Sequence, residues 1–362
     1  MISVYYDFQI LLGQRYGGIS RYFYELIPRL ESLGVECDIN CIHNYNYYFK
    51  DRLGLAEMSD NKYVRVAGQG IFFFVNKVNT FFDLRRKHYD IIHPTYYHMS
   101  YGRKAKIVLN VHDMIPERLH FNEPLIAAKK RTLPKADRII AVSENSKKDL
   151  LEYYPDIEPE RVSVIYHASM MNPQPESQAK FARMDGRDYV LFVGNRWLYK
   201  NFARFFEAMK GVMSVHKDLC VFCAGGGAFT DKEKSAMKGW EDRVFQGGLN
   251  DDELIDAYRN ALCFVFPSEY EGFGIPILEA FACRCPIVCS GTSSLPEVAG
   301  DAAEYFDPLD VDDMAAKILD VLSDEELRTS MKARGLERLK FFSWEKSARE
   351  TLKCYEEAIN ND

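Results

Sequence analysis

Two glutamates eight positions apart, Glu271 and Glu279, are the residues of this chain best suited to ligand chemistry. The apolar run at 261–266 before them predicts a buried parallel strand, and Pro276 between them suits the first turn of a helix. Glu271 is therefore expected in the loop at the carboxyl end of a strand, and Glu279 inside the following helix. Ligands bind at that edge of an open α/β sheet, and a helix N-terminus attracts anions. Two acceptor carboxylates beside an anion site suit a sugar joined to a phosphate.

The whole segment 271–280 closely resembles the E-x7-E signature of retaining glycosyltransferases, in the form typical of family 4. The resemblance implies that this segment binds a nucleotide-sugar donor. The donor-binding residues that it implies are Glu271, Phe273, Gly274, Ile275 and Glu279. An ordinary strand, loop and helix with an exposed glutamate is the alternative interpretation.

Two cations, Arg196 and Lys200, follow another predicted strand at 189–193. A guanidinium can hold phosphate oxygens in a bidentate manner, and an ammonium adds a point charge. Together they suit a departing nucleoside diphosphate, on which negative charge builds. Segment 194–201 is similar to the G-x-R-x-x-Y-K-N form of family 4 enzymes, many of which use GDP-mannose. The resemblance implies that both residues bind the diphosphate; two surface cations on a loop are the alternative.

In the first half of the chain, His112 and Asp113 end a predicted strand at 106–111. In family members with the motif H-D-x-I-P, this histidine lies near the transferring sugar. The resemblance therefore gives His112 a hydrogen bond to a donor hydroxyl or a role in orienting the acceptor, and a buried structural histidine is the alternative. Asp113 is expected to orient His112 or to cap the next turn. His93 and His98 are weaker candidates to line an acceptor pocket.

Two glycine pairs are the remaining candidates for donor contacts. Gly17 and Gly18 lie between the first predicted strand and its helix, where glycine lets the backbone approach a ligand closely. The family resemblance implies that they face the donor phosphates across a cleft, although a simple tight turn explains them equally well. The resemblance also makes the backbone at Gly248 and Leu249 the edge that binds the base.

Strands that alternate with amphipathic helices predict an α/β protein with two doubly wound domains. By resemblance this is the GT-B architecture of glycosyltransferases, two Rossmann-like domains facing a cleft, with the C-terminal helix crossing back to the first domain. The expected parts are an acceptor-binding domain at 1–172, a linker at 173–187, a nucleotide-sugar-binding domain at 188–342 and the C-terminal helix at 343–362.

Composition restricts the class of protein and its partners. The chain has 362 residues and a net charge of −7, and residues 171–362 carry 23 Lys and Arg against 33 Asp and Glu. Such an acidic half argues against nucleic acid as a partner. Nine cysteines without a pairing pattern, and no apparent signal peptide or membrane-spanning run, predict a cytoplasmic protein. Basic clusters at 85–87, 103–106 and 129–131 are solvated faces or a peripheral contact with anionic lipid at the inner face of the membrane.

The sequence thus predicts a retaining hexosyltransferase of cell-surface polysaccharide synthesis, with mannose favoured. GDP-mannose is the favoured donor, UDP-hexose is the second, and the acceptor is a glycan or a lipid-linked glycan. No cofactor is expected. No metal ion is expected either, because the acidic run at 310–313 is interpreted as a helix cap. The expected catalytic residues are His112, Arg196, Lys200 and Glu271. A sugar-nucleotide epimerase of the same architecture and a non-catalytic sugar-nucleotide-binding subunit are the alternatives.

Overall fold

A computed structural model of the chain describes residues 1–54, 62–98, 101, 105–169, 171 and 181–360. The chain divides into two compact units. The first unit comprises Met1–His167 and Ser343–Asp362, and the second comprises Ala168–Phe342. The predicted linker at 173–187 lies mostly outside the described residues.

The first unit contains a six-stranded parallel sheet of order β2-β1-β3-β4-β5-β6. Its strands are β1 Ser3–Tyr6, β2 Glu36–Ile39, β3 Ile91–His93, β4 Lys106–Val111, β5 Arg138–Ala141 and β6 Val162–Val164. The helices between them are α1 Gln9–Gly13, α2 Gly18–Ser32, α3 Lys50–Leu53, α4 Lys62–Arg86, α5 Ile115–Arg118, α6 Glu123–Thr132 and α7 Glu144–Tyr153. The strands are short apolar runs whose residues are mostly buried, as a sheet covered on both faces requires.

The second unit contains another six-stranded parallel sheet, of order β12-β11-β10-β7-β8-β9. Its strands are β7 Tyr189–Val193, β8 Cys220–Ala224, β9 Val244–Gly247, β10 Cys263–Phe266, β11 Ile287–Ser290 and β12 Ala303–Phe306. Its helices are α8 Phe202–Val215, α9 Asp231–Ala236, α10 Asp251–Asn260, α11 Ile275–Ala282, α12 Leu295–Ala299, α13 Val311–Ser323 and α14 Glu325–Leu339. Buried side chains of β7, β8, α8 and α13 share one core.

The last helix, α15 Trp344–Asn360, belongs to the first unit and packs on α2, β4 and β5. Its apolar stripe buries Trp344, Ala348 and Tyr355. The Tyr355 hydroxyl lies 2.6 Å from His93 Nδ1 and 2.8 Å from the Tyr6 hydroxyl. The α15 helix therefore contributes both packing and a polar network to the first sheet.

The predicted α/β class is confirmed, with two doubly wound parallel sheets and a C-terminal helix on the first unit. The acidic run at 310–313 is a helix cap as predicted, because Asp310 Oδ1 accepts the backbone N–H groups of Asp312 and Asp313. Within the described residues, no helix combines the length and apolarity needed to cross a bilayer. In that same part of the chain, no group of three His, Cys, Asp or Glu is arranged to hold a metal ion.

Candidate functional site

The predicted donor site of the second unit lies where the order of its strands reverses. Strands β7 and β10 are neighbours at the centre of the sheet, although they are far apart in the sequence. The loops at their carboxyl ends diverge to opposite sides of the sheet and leave a crevice, which is the usual ligand position in this class of fold. Lys200 follows β7 and Glu271 follows β10. Strand order therefore explains why two residues 71 positions apart meet.

Lys200 and Glu271 form an ion pair at this crevice. Lys200 Nζ lies 2.5 Å from Glu271 Oε1, and the two side chains are 15% and 11% exposed. An ion pair so far removed from water interacts more strongly than a surface pair. The structure thus brings together two residues that the sequence analysis assigned separately, one to the diphosphate and one to the sugar.

Two serines after β11 hold the Glu271 loop, and the sequence analysis did not identify either. Glu271 donates its backbone N–H to Ser293 Oγ at 3.0 Å. Ser294 Oγ, which is fully buried, lies 2.9 Å from the carbonyl oxygens of both Glu271 and Phe273. Their position shortly after a strand could have identified them as site residues, because the carboxyl ends of all strands of a parallel sheet lie at one edge.

The turn into α11 requires glycine at position 274. Gly274 has φ of +105°, and a Cβ there would lie 2.9 Å from Leu295 Cδ2. Among the residues that the structure describes, no side-chain hydrogen bond caps the N-terminus of α11, and Pro276 occupies its first turn. Backbone N–H groups at this end of α11 are the kind that bind a phosphate.

Glu279 lies inside α11, about one turn beyond Ile275, and is almost buried. Its Oε2 accepts a hydrogen bond of 3.3 Å from the Tyr258 hydroxyl. Burial, with the nearby Glu279 charge, raises the pKa of Tyr258 well above its usual value, so Tyr258 stays a donor. Tyr258 therefore helps to orient the Glu279 carboxylate, which was predicted to bind the donor.

Arg196 is not a free surface cation in this structure, because its side chain is only 4% exposed. Its Nε donates to Glu233 Oε1 at 2.7 Å, and its Nη1 donates to the Gly225 carbonyl at 3.0 Å. Its Nη2 donates to the carbonyl oxygens of Gly227 at 2.9 Å and Ala228 at 3.0 Å. The guanidinium thus organises a glycine loop, residues 225–228, at the carboxyl end of β8. Its predicted role in binding the diphosphate stays a prediction.

The glycine loop and Glu233 are features that the sequence analysis missed. Burial alone would raise the pKa of Glu233, but hydrogen bonds from the Thr230 backbone and from Arg196 outweigh it and lower the pKa. Glu233 therefore keeps its charge and its pairing with Arg196. The available signal was the run Ala-Gly-Gly-Gly at 224–227 directly after an apolar strand.

Gly248 and Leu249, the predicted base-binding edge, follow β9, next to the glycine loop. The Gly247 carbonyl accepts the Gly225 backbone N–H at 2.9 Å, which connects the two loops. Asn250 then caps the N-terminus of α10 in a capping box completed by Glu253. The predicted contact of this edge with a base stays a prediction.

In the first unit, His112 follows β4 and its Nε2 atom is buried without a hydrogen-bond partner among the described residues. Its ring centroid lies 5.5 Å from that of Tyr22 and 5.9 Å from that of His167. Burial, with the nearby His167, His93 and Lys129, holds the pKa of His112 well below its usual value. A neutral imidazole can accept or donate a hydrogen bond but is a poor proton donor at neutral pH.

Asp113 caps the next turn, which is one of its two predicted roles. Its Oδ1 accepts the Ile115 backbone N–H at 3.1 Å. Its carbonyl accepts a 2.8 Å hydrogen bond from Lys129 Nζ, and that buried ammonium also lies 3.0 Å from Glu117 Oε2. The cluster at 129–131 was predicted to be a solvated face or a peripheral contact with anionic lipid, and for the buried Lys129 both predictions are wrong.

His93 does not line a pocket, because it is the fully buried last residue of β3. Both of its ring nitrogens are engaged, Nδ1 with Tyr355 and Nε2 with Asn110 Oδ1 at 2.8 Å. Burial lowers its pKa to about 4. His98 is exposed, and its backbone is held by Gln9 and Arg131.

Gly17 and Gly18 lie at the start of α2, as predicted, with Gly17 at the N-cap position. Asp7, directly after β1, was not predicted from the sequence. Asp7 is fully buried and accepts hydrogen bonds of 2.6 Å from Thr95 Oγ1 and of 2.5 Å from the Tyr101 hydroxyl. It ties the carboxyl end of β1 to the loop that follows β3.

Comparison with protein families gives two matches that adjoin along the chain. The family described as "Glycosyl transferases group 1" matches residues 173–338. The family described as "Glycosyltransferase Family 4" matches residues 16–168. Between them the two matches leave only 169–172 unassigned within 16–338.

Two relatives from Escherichia coli are named as mannosyltransferases. The O-antigen chain mannosyltransferase B is 32% identical over 237 residues, which cover 62% of this chain and 61% of that protein. A serotype-specific mannosyltransferase is 42% identical over 105 residues, which cover 29% of this chain and 13% of that protein. The matched regions therefore span less than two thirds of either relative.

Among solved structures, a sucrose-phosphate synthase from Thermosynechococcus elongatus superposes with a TM-score of 0.76. The superposition covers 100% of both chains at 18% sequence identity. Similarity at this identity concerns the fold alone, and it confirms the predicted GT-B class.

Proposed function

This chain belongs to the group 1, family 4 glycosyltransferases, and on that premise we propose that it transfers a hexose from a nucleotide diphosphate sugar to a hydroxyl of a glycan or lipid-linked glycan. The proposed transfer retains the anomeric configuration and requires no metal ion or cofactor. Mannose from GDP-mannose is the favoured donor group, and a UDP-hexose is the second candidate. The names of the two Escherichia coli relatives support mannose and a role in cell-surface polysaccharide synthesis.

The observation that carries this proposal is the pairing of Lys200 with Glu271 beside the N-terminus of α11. A diphosphate needs fixed positive charge and N–H donors, and a hexose needs an acceptor for its hydroxyls. Both sets of groups occur here on neighbouring loops, at the point where strand order reverses. The ion pair holds each group in position before a ligand arrives, which reduces the cost of ordering them on binding.

We propose the following roles for the site residues in the transfer step. Lys200 and the first N–H groups of α11 stabilise negative charge on the departing diphosphate, while Glu271 holds the transferring sugar. The neutral imidazole of His112 supplies a hydrogen bond to a sugar hydroxyl. Arg196 supports the site by shaping the glycine loop, in addition to its proposed contact with the diphosphate. No protein nucleophile is invoked, so the acceptor attacks from the face that the diphosphate leaves.

The proposal is tested by binding and by turnover. Thermal unfolding with GDP-mannose, UDP-glucose and ADP-glucose identifies the donor, because a ligand that binds only the folded state raises its apparent stability. Release of free nucleoside diphosphate is then measured with and without an oligomannoside acceptor, in EDTA and in magnesium. We expect stabilisation by GDP-mannose and acceptor-dependent release that EDTA leaves intact. Binding without turnover would support the non-catalytic subunit, and loss of activity in EDTA would contradict metal independence.

A further inference from the structure

Helix α4 of the first unit directs a row of large apolar side chains outward. Ile71, Phe74 and Phe81 are 62%, 66% and 51% exposed, and Val78 and Phe82 are exposed as well. These positions recur at intervals of three and four, so they lie on one side of the helix. A continuous exposed apolar surface of this kind usually marks an interaction site.

The opposite side of α4 carries polar side chains that anchor the helix to its own unit. Asn76 and Thr80 are buried. The Tyr5 hydroxyl donates to Thr80 Oγ1 at 2.9 Å, and the Ile42 backbone N–H donates to Asn76 Oδ1 at 2.7 Å. An amphipathic helix on a globular protein normally buries its apolar side and exposes its polar side.

On the packed side of α4, the Phe73 ring lies 5.2 Å from the Phe8 ring, and Leu84 packs against the buried cluster of Tyr5, Tyr89 and Ile92. The exposed apolar row is therefore additional to the apolar residues that hold α4 in place, and it is available to a partner outside the unit.

The exposed side of α4 also carries only positive charge. Lys77, Arg85 and Arg86 are exposed on it, and Arg85 Cζ lies 4.0 Å above the Phe81 ring. Asp83 is the single acidic residue in the described segment 70–86, and it lies on the other side of the helix. There its Oδ2 accepts a 3.0 Å hydrogen bond from Asn40 Nδ2. The outward surface of α4 therefore combines apolar side chains with three cations.

We propose that this surface docks the protein on an anionic lipid bilayer. We call it the α4 face, and it consists of Ile71, Phe74, Lys77, Val78, Phe81, Phe82, Arg85 and Arg86. A helix lying in the plane of a membrane inserts apolar side chains below the headgroups while its cations attract anionic lipid. The proposal concerns a surface and not the transfer step, so it does not depend on the proposed donor.

A bilayer suits the α4 face better than a second copy of the chain does. A two-fold contact through this face would place three cations of one copy against the same three of the other, and like charges at close range repel. Anionic lipid instead offers acyl chains to the phenylalanines and phosphates to the arginines. Charge complementarity and apolar burial are then satisfied by the same partner.

The test is co-sedimentation of the full-length chain with vesicles of phosphatidylcholine alone and of phosphatidylcholine mixed with phosphatidylglycerol. We expect binding to the mixed vesicles that weakens as salt is raised. The variants Phe74→Ser/Phe81→Ser and Arg85→Glu/Arg86→Glu should each weaken that binding by about tenfold or more. All four side chains are exposed, so thermal unfolding should occur near the wild-type temperature.

Matched control variants change equally exposed residues of the second unit. Val215→Ser/Phe341→Ser removes apolar surface and Lys232→Glu/Lys238→Glu reverses two charges, and both should bind mixed vesicles as the wild type does. The proposal is overturned if the wild type does not bind mixed vesicles, or if the phenylalanine variant binds them as strongly as the wild type does. It is also overturned if the wild type is a dimer that the phenylalanine variant dissociates without affecting lipid binding, because the α4 face is then a contact between copies.

Discussion

At the scale of single residues, Lys200 is the cation that the proposed mechanism needs most. Lys200→Ala removes a preorganised positive charge, so turnover should fall by about one to three orders of magnitude. Arg204 offers a matched control in the same region, since Arg204 Nη1 forms a 2.7 Å ion pair with Glu269 Oε1. Arg204→Ala should change turnover by no more than about twofold, because exposed pairs contribute little. Steady-state kinetics on both variants tests this expectation. Near-normal turnover of Lys200→Ala would show that Lys200 is not part of the site.

The two glutamates should respond differently to loss of charge. Glu279 is expected at the ribose hydroxyls, whose contacts barely change during transfer, so Glu279→Gln should raise KM more than it lowers kcat. Glu271 is expected nearer the anomeric centre, so Glu271→Gln should lower kcat and leave affinity for free nucleoside diphosphate nearly unchanged.

Calorimetry with the nucleoside diphosphate, beside kinetics on both variants, separates these two roles. If Glu271→Gln abolishes nucleotide binding while Glu279→Gln does not, the roles are assigned the wrong way round. The Ser293 contact to the Glu271 backbone is independent of the Glu271 side chain, so the loop itself should survive the substitution.

Motifs in the sequence predicted candidate site residues, but they did not predict the residues that hold those candidates in place. Lys200 and Glu271 were both predicted as site residues, and the structure places their charged atoms 2.5 Å apart. Ser294 and Glu233 were not predicted, because their partners lie 23 and 37 positions away and only strand order brings them close. Motifs indicate which residues meet a ligand, whereas the residues that hold them depend on long-range packing.

At the scale of elements, the glycine loop after β8 should control the position of Arg196. A Cβ at Gly226 would lie 2.6 Å from Arg196 Nη1, whereas a Cβ at Gly227 would meet nothing within 4 Å. Their φ angles, +73° and +71°, are nearly equal, so alanine at either position carries the same backbone strain of about 1 kcal/mol. Gly226→Ala should lower the unfolding temperature more than Gly227→Ala does, because its Cβ also displaces the nearly buried Arg196 and would lie 3.1 Å from the Gly194 carbonyl oxygen.

Only Gly226→Ala should also impair transfer, by displacing Arg196 from the loop. The expected loss of turnover is about tenfold or more, the lower end of the range for a displaced charge-stabilising group. Parallel thermal unfolding and kinetics make the comparison. Equal turnover in the two variants would show that the glycine loop does not position Arg196 for the reaction.

The buried histidine of β3 predicts how stability depends on pH. The folded-state pKa of His93 is about 4, below the unfolded value of 6.5. As pH falls through 6.5, His93 becomes protonated in the unfolded chain, whereas in the folded chain it stays neutral until about pH 4. The free energy of unfolding therefore decreases between these two pH values. The decrease from His93 alone is about 2 kcal/mol between pH 7 and pH 5.

The unfolding temperature of His93→Gln should therefore decrease less between pH 7 and pH 5 than that of the wild type. His88→Gln, at an exposed position, is the control, and its unfolding temperature should decrease as much as that of the wild type. The measurement is thermal unfolding of all three proteins at both pH values. An identical loss in His93→Gln and the wild type would refute the assignment of a neutral, buried His93.

The strands predicted at 106–111, 189–193 and 261–266 agree with β4, β7 and β10 to within two residues, since each is a short apolar run bounded by turn residues. Helix α4 was not predicted from the sequence. The physical reason is that α4 buries Asn76 and Thr80 and exposes Phe74 and Phe81, while Phe73 packs inward. Apolar residues therefore occur on both sides of α4, without the single apolar stripe by which an amphipathic helix is recognised.

At the scale of the whole molecule, the motifs of the second unit were dense and those of the first were sparse. The family matches nevertheless divide the chain into the same two regions as the compact units, apart from the last helix. That helix was predicted to return to the first domain by resemblance alone. Its buried Tyr355 shows why it does so, because the hydroxyl completes a hydrogen-bonded network with His93 and Tyr6.

Retaining transfer of mannose from GDP-mannose can be tested by the configuration of the product formed from 13C-labelled donor. GDP-mannose labelled at the anomeric carbon is incubated with an oligomannoside acceptor and followed by 13C NMR. We predict an α-linked mannoside, matching the α configuration of the donor, with one GDP released for each linkage formed. A β-linked product would contradict retention, and an altered sugar still attached to GDP would identify an epimerase instead.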